Sequence, residues 1–419
     1  MHAELKQRFD AVVMLTASDW YTEMRSNRYH YATRFAKHLP VIFVQPDLNE
    51  LQFRYEESGT EGVTVLHTCE HWGWKQAKLL VQALARTQVV NPLLWVYHYG
   101  FRDFIALAHA PCTIFHATED YFSPELGVPG PDRDKLKEVL PLADLLVAVS
   151  AGVLQSYRER GGYSGEGLVI GNGCDFQFWA PKSEERSSLL SQSGGAPVAF
   201  YQGSIHRKMD FDLLHALVRR MPDWEFWFCG VAYRDLPEWD ALCRYKNVKY
   251  YGKLNPEDVR ALAFRATVGL IPFVQTEWIM QRAFPLKAFE YIACGLPVIS
   301  VPIEALRPYP AIIKFAETAD QFVGAMKSEA PTRWNAEWID QRVSSAKQHD
   351  YDLKFDRLMS AEPFRSGSNS GKHETLQSRF RRYRIVARSV LENARLEMAL
   401  KKHAITNFWN RSYGSTRNL

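Results

Sequence analysis

The six cysteines, Cys69, Cys112, Cys174, Cys229, Cys243 and Cys294, include no C-x-x-C pair, which excludes a zinc ribbon or a dithiol redox motif. Several lie in apolar runs, where a thiol behaves as a small hydrophobe, so a reducing compartment is expected. No run approaches the roughly 20 apolar residues that cross a bilayer, and no charged-then-apolar leader with a small-residue cleavage site opens the chain. The chain is therefore read as cytoplasmic, or peripheral on the inner face of the cell membrane. H-E-x-x-H is missing, as are internal repeats of 20 to 50 residues and any nucleic-acid-binding motif. Metalloprotease, solenoid and nucleic-acid classes are set aside on those grounds. Charge of one sign is scarce overall, with a net of only +4.

What is present is globular. Apolar residues make up 46% and charged residues 23% of 419 positions, more chain than one core usually organises, so two domains are expected. Short β-rich apolar runs alternate with helical patterning, which argues for an α/β class with parallel sheets covered by helices. The first set of strands is expected at Ala11–Leu15, Val41–Val44, Val63–His67, Leu94–Tyr97, Cys112–Phe115, Leu145–Val149 and Leu168–Ile170. The second set is expected at Val198–Gln202, Glu225–Cys229, Val248–Tyr251, Val268–Pro272 and Pro297–Val301. Between them, residues 181–197 are polar and rich in Ser and Gly, the composition of a linker. The expected division is an acceptor-binding domain over 1–180, the linker, a nucleotide-sugar-binding domain over 198–330, a crossing helix over 331–362 and a basic helical tail over 363–419. Residues 365–419 hold 12 Lys/Arg against 3 Asp/Glu.

The sharpest local pattern is Phe284-Pro285-Leu286-Lys287-Ala288-Phe289-Glu290-Tyr291-Ile292-Ala293-Cys294-Gly295-Leu296-Pro297-Val298. Pro285 suits a first helical turn, Gly295 a C-terminal cap and Pro297 the start of a strand. Lys287 and Glu290 share one face near the helix N-terminus. Exposed N–H groups with a lysine attract an anion, and a carboxylate one turn later accepts from ribose hydroxyls. A second pattern, Phe200 to Asp210, ends a strand in Gly203 and Ser204, then supplies Arg207 and Lys208 for neutralising a diphosphate leaving group. A third brings Gly252, Lys253 and, at the end of a later strand, Phe273.

The stretch from Pro285 to Val298 resembles the donor-site pattern P-x-K-x-x-E-Y-x-A-x-G-x-P-V of GT-B glycosyltransferases, in particular the family-4-like bacterial polysaccharide enzymes. Together with the other two patterns the resemblance covers residues 197 to 310. It implies two Rossmann-like doubly wound domains facing a cleft. Gly203, Ser204, Arg207, Lys208, Gly252, Lys253, Phe273, Arg282, Leu286, Lys287 and Glu290 would then bind a nucleoside diphosphate-sugar, with UDP the expected nucleotide. No cofactor and no metal are expected.

The loop Phe115-His116-Ala117-Thr118-Glu119-Asp120-Tyr121-Phe122 is dense in titratable groups, and glycosyl transfer needs a base for the acceptor hydroxyl. Asp120 is the first choice and His116 the substitute, because the segment looks like the corresponding loop of the inverting xanthan-type glucuronosyltransferase. Asn27 and Arg28 are expected to touch the acceptor. Leu168 to Trp179 is similar to the N-G-x-D-x-x-x-F element leading out of the first domain, with Gly171, Asn172 and Asp175 shaping a hinge. The resemblance breaks at Arg282, where retaining relatives carry a glutamate paired with the equivalent of Glu290; inversion is thereby favoured.

The expected partners are the nucleotide-sugar, a glycan or lipid-linked acceptor, and an anionic membrane surface or a protein met by the basic tail. Nucleic acid is not expected. His67-x-Cys69-x-His71 lacks a fourth zinc ligand and is read as structural. Two other classes stay open at this level: a non-catalytic GT-B-like scaffold recruited by its tail, and a GT-B sugar epimerase needing no second substrate.

Overall fold

The structure, a computed structural model, describes residues 2–22, 25–47, 53–69, 73–191, 195–364, 379–395 and 398. Among these, the first sheet has eight strands: β1 (Ala11–Leu15), β2 (Val41–Asp47), β3 (Arg54–Glu57), β4 (Val63–Cys69), β5 (Pro92–Val96), β6 (Cys112–Ala117), β7 (Leu145–Ala148) and β8 (Glu166–Val169). Their spatial order is β3-β4-β2-β1-β5-β6-β7-β8, parallel except for the edge strand β3. The second sheet has six strands: β9 (Val198–Gln202), β10 (Glu225–Cys229), β11 (Val248–Tyr250), β12 (Val268–Ile271), β13 (Val298–Ser300) and β14 (Ile313–Phe315). Its order is β11-β10-β9-β12-β13-β14 with all pairs parallel.

The near-continuous burial of β1, β5, β6 and β9 is what a parallel sheet covered on both faces requires. Val13, Leu15 and Phe115 face one helical layer, where they meet Phe104, Leu136 and Val153. Val12, Met14 and Ile114 face the other, where Tyr31 and Phe35 of the helix Asn27–Ala36 pack. That second layer is completed by Tyr351, Phe355 and Leu358 of the helix Tyr351–Met359, so the chain returns to the first sheet after building the second. A backbone clasp fixes the return: the Cys174 amide donates to the His349 carbonyl, and the Tyr351 amide to the Cys174 carbonyl, both at 3.1 Å.

Several expectations are revised. The stretch expected as a linker holds the helix Ser183–Ser191, whose Glu185 is bonded by Arg260 at 2.7 Å and by the Lys182 amide at 2.8 Å. Its serines disguise a helical start with Glu184 and Glu185 in the first turn, where the dipole favours acids. The segment after residue 330 is two helices, Ala336–Lys347 and Tyr351–Met359, rather than one. Buried Arg333 donates to the Ala266 and Phe264 carbonyls at 2.9 Å, capping the end of the helix Pro256–Arg265. Edge strand β3, Arg-Tyr-Glu-Glu, carries too little apolar sequence to have been expected, and the three-residue β14 was also not expected. His67 is buried between Asp47 and Glu56 at 3.4 and 2.9 Å, a structural arrangement, while His71 lies outside the described residues.

Residues 379–395 are not a free basic tail where they are described. Ile385 is buried against the first domain, Ser389 donates to Asp103 at 2.6 Å, Arg382 to the Ile105 carbonyl at 2.6 Å, and Glu392 meets Arg102 at 3.1 Å. Arg388 pairs with Glu138. No helix among the described residues is long and apolar enough to cross a membrane.

Candidate active site

In both sheets the strand order reverses beside the first strand, between β1 and β5 and between β9 and β12, and ligands of open α/β sheets bind beyond the carboxyl ends at such points. The two switch points face each other across one cavity of about 540 Å³. Its walls combine Arg25, Asn27, Arg28, Thr118, Glu119 and Asp120 of the first domain with Gly203, Lys208, Lys253, Arg282, Lys287 and Glu290 of the second.

The second-domain wall is assembled around the helix Leu286–Ala293, with Pro285 at its N-cap and Gly295, at φ +69°, ending it. Helical spacing sets Lys287 and Glu290 one above the other, Glu290 buried and Lys287 half-buried. The Lys287 ammonium lies 3.7 Å from the centre of the Tyr201 ring and 5.1 Å from that of Phe273. Burial pushes its pKa down to about 7, with Glu290 opposing the shift. The Glu290 carboxyl is pushed up to about 7 by burial, against the pull of Lys287 and a hydrogen bond from the Gln202 amide. Gln202 is itself fixed, its backbone N–H donating to Tyr291 Oη at 2.8 Å.

Gly203 has φ +120°, and a Cβ there would stand 3.0 Å from Lys287 Nζ. Gly230 has φ +135°, and a Cβ there would reach within 2.1 Å of the Gly203 carbonyl oxygen. Two bare backbones therefore touch beside the lysine and leave room for a phosphate-sized group. Val231, Lys253, Pro256 and Val259 continue the wall outward, and Lys253 Nζ donates to the Thr22 carbonyl at 2.8 Å.

Of the residues expected to bind a donor, Gly203, Ser204, Lys208, Lys253, Phe273, Arg282, Leu286, Lys287 and Glu290 line the cavity. Arg207 is exposed and does not line it, and Gly252 is a turn residue at φ +68° whose carbonyl accepts from the Gly230 amide at 2.8 Å. Asn27 and Arg28 line the first-domain wall; Asn27 bonds Asn172 at 3.3 Å, and Arg28 lies 4.9 Å over the Tyr97 ring.

Of the two residues expected to act as base, Asp120 is among the cavity-lining residues and His116 is not. His116 is buried among Tyr31, Trp95 and Tyr97, outside the cavity lining, with its pKa pushed down to about 3 by burial and by the Arg28 charge. Asp120 has a fully buried side chain. Its Oδ1 accepts from Ser156 Oγ at 2.8 Å and from the Phe122 amide at 3.1 Å, and its Oδ2 lies 3.0 Å from Arg282 Nε. Burial raises the Asp120 pKa, while Ser156, the Phe122 amide and Arg282 pull the other way. The adjacent Glu119, not singled out from sequence, turns its carboxylate into the cavity and meets Lys208 at 3.1 Å. Gln202, Tyr201 and Gly230 were also missed, since each matters only through a neighbour distant in sequence.

Two facing doubly wound sheets around a cleft match known structures. Sucrose-phosphate synthase from Thermosynechococcus elongatus superposes with a TM-score of 0.65 at 14% identity, over 83% of this chain and 97% of that one. HepE of Anabaena in complex with UDP-glucose gives 0.61 at 15% identity, over 84% of this chain and 100% of that one. The fold is that of the GT-B glycosyltransferases. Within this GT-B chain, residues 196–328 match the family described as Glycosyl transferases group 1. TuaH of Bacillus subtilis, a putative teichuronic acid biosynthesis glycosyltransferase, is 26% identical over 197 residues, 46% of this GT-B chain and 49% of the relative. The chain thus spans about half the length of the curated relative it matches.

Proposed function

We propose that this chain is a glycosyltransferase moving a hexosyl or glycuronosyl unit from a UDP-sugar to a hydroxyl of a glycan or lipid-linked acceptor, in the synthesis of a surface polysaccharide or glycoconjugate. The observation that carries the reading is the turn of half-buried Lys287 and buried Glu290 at the second switch point, braced by Gln202 and open to the cavity beside Gly203 and Gly230. A diphosphate satisfies the lysine and the free backbone, and a ribose hydroxyl satisfies the carboxylate. HepE has been solved with UDP and with UDP-glucose, which supports uracil as the base. TuaH's link to teichuronic acid supports a polysaccharide product.

Lys208 and Lys287 supply the positive charge that a departing diphosphate needs, so the reaction is read as metal-independent. Arg282, occupying the position where retaining relatives carry a glutamate, supports inversion. Closure of the cleft would exclude water during transfer.

Attachment to the inner membrane face belongs to the same reading. Along the helix of residues 379–395, Phe380, Tyr383 and Leu391 are exposed on the side away from the docked Ile385 and Ser389, and Arg381 and Arg384 flank them. An outward apolar stripe edged with arginine suits an anionic lipid surface. Co-sedimentation with phosphatidylglycerol vesicles, lost in Phe380→Ser/Tyr383→Ser, checks it.

The deciding experiment is calorimetry and thermal shift with UDP, GDP and dTDP and their common sugars, on wild type and Glu290→Ala. One nucleotide should stabilise the wild type by about 2.7 kcal/mol at a hundredfold excess over its Kd and lose that effect in the variant. Binding of none removes the transferase reading.

A further inference from the structure

Resting on the transferase reading, we infer that Glu119 is the group that takes the acceptor proton, and that it is held in reserve by Lys208 until a donor diphosphate draws the lysine away.

The two carboxylates of this loop stand side by side in sequence and in opposite circumstances in space. The Asp120 side chain is 0% exposed, with Oδ1 hydrogen-bonded and Oδ2 paired with Arg282. Glu119, at a bend in the loop, lines the cavity with its side chain 42% exposed. Its backbone is nonetheless fixed, since the Glu119 carbonyl accepts from Tyr157 Oη at 3.2 Å. A carboxylate on a held backbone, aimed into a cleft that receives a hydroxyl, meets the first requirement of a general base, which is reach.

Its partner is what sets the timing. Lys208 belongs to the second domain and crosses the cavity to place its ammonium 3.1 and 3.2 Å from the two Glu119 oxygens. The same ammonium lies 4.6 Å over the Trp278 ring and lines the cavity on the Gly203 side. One cation therefore has two anionic destinations, Glu119 when the cleft is empty and a diphosphate when it is filled. A diphosphate carrying two charges wins that competition over a single carboxylate, and Glu119 is released only when a donor is present.

The step then balances. Glu119 Oε accepts the acceptor hydroxyl proton as that oxygen forms a bond to the anomeric carbon. The bond from the anomeric carbon to the diphosphate oxygen breaks with its electron pair, and the departing charge rests on Lys208 and Lys287. Glu119 afterwards returns its proton to solvent.

The test measures two quantities on wild type, Glu119→Gln and Glu119→Asp. UDP affinity by calorimetry should rise about three- to tenfold in Glu119→Gln, because no competing carboxylate occupies Lys208. Release of UDP from UDP-glucose and UDP-glucuronate, with water as acceptor, should fall about a hundredfold or more in the same variant and recover in part in Glu119→Asp. Unchanged or weaker UDP binding in Glu119→Gln, or undiminished release, overturns the inference. So does a wild type that binds UDP and releases none from either donor. A wild type that binds no UDP at all instead overturns the transferase reading, so the two failures are told apart.

Discussion

The two walls of the cleft are built on opposite principles. On the second domain, one helix and the ends of β9 and β10 hold Lys287, Glu290, Gln202 and two touching glycines together through contacts made within that domain. On the first domain, Glu119 and Asp120 owe their ion pairs to the other half, through Lys208 and Arg282. The hydroxyl of Ser150 likewise donates across to the Arg282 carbonyl at 2.8 Å, and Arg25 meets Glu257 at 3.0 Å. A site preorganised within one domain binds in any relative position of the domains, whereas a site completed across them works only in one. The difference separates holding a substrate from committing it to reaction.

Four changes sharpen that contrast. Gly230→Ala should be the most severe, since a Cβ 2.1 Å from the Gly203 oxygen cannot be relieved by a side-chain rotation and the residue sits at φ +135°. A loss of about 3 kcal/mol or more in chemical denaturation, with no remaining UDP binding, is expected. Asp120→Ala strands the nearly buried Arg282 charge and should cost about 3 kcal/mol, read by denaturation, while leaving UDP affinity near that of wild type. Gly152→Ala works at the boundary itself, because its added Cβ would lie 2.3 Å from the Gln281 carbonyl of the other domain. The domains should part, seen as a larger radius in small-angle scattering, with UDP binding kept and transfer lost.

The smallest effect is a pH signature confined to the second wall. Burial raises the Glu290 pKa from 4.5 to about 7, so the folded chain holds more protons than the unfolded one in that interval and its stability falls as pH rises through it. Lys287, lowered from 10.5 to about 7, reverses the sign: above pH 7 the unfolded chain holds more protons and stability rises with pH. The pair therefore contributes a shallow minimum near neutrality, which Lys287→Met/Glu290→Gln should flatten in denaturation curves measured from pH 5 to 9. At pH 8, UDP should bind with proton uptake, detected by calorimetry in buffers of different ionisation enthalpy.

The contrast also explains which parts were legible in sequence. The helix Leu286–Ala293 was readable because its signals are local: a proline at one end, a glycine at the other and Lys287 and Glu290 one turn apart. Strands β1, β9 and β10 fall at the expected residues because their hydrophobic runs end cleanly. Glu119 and Asp120 were not separable, since adjacent carboxylates in a loop have the same composition and only the packing of Ser156 and Arg282 tells which one turns inward. The ring of Tyr201 beneath Lys287, and the helix hidden in a serine-rich stretch, likewise depend on contacts with distant residues.

The return of the helix Tyr351–Met359 to the first sheet also governs how the molecule comes into being. Tyr31 and Phe35, made early on the ribosome, await Tyr351 and Phe355, and the whole second domain is synthesised in between. One apolar face of the first domain stays open to water throughout that interval. The second domain is continuous in sequence from β9 to β14, so the helix that completes the first domain's core is made only after that whole domain.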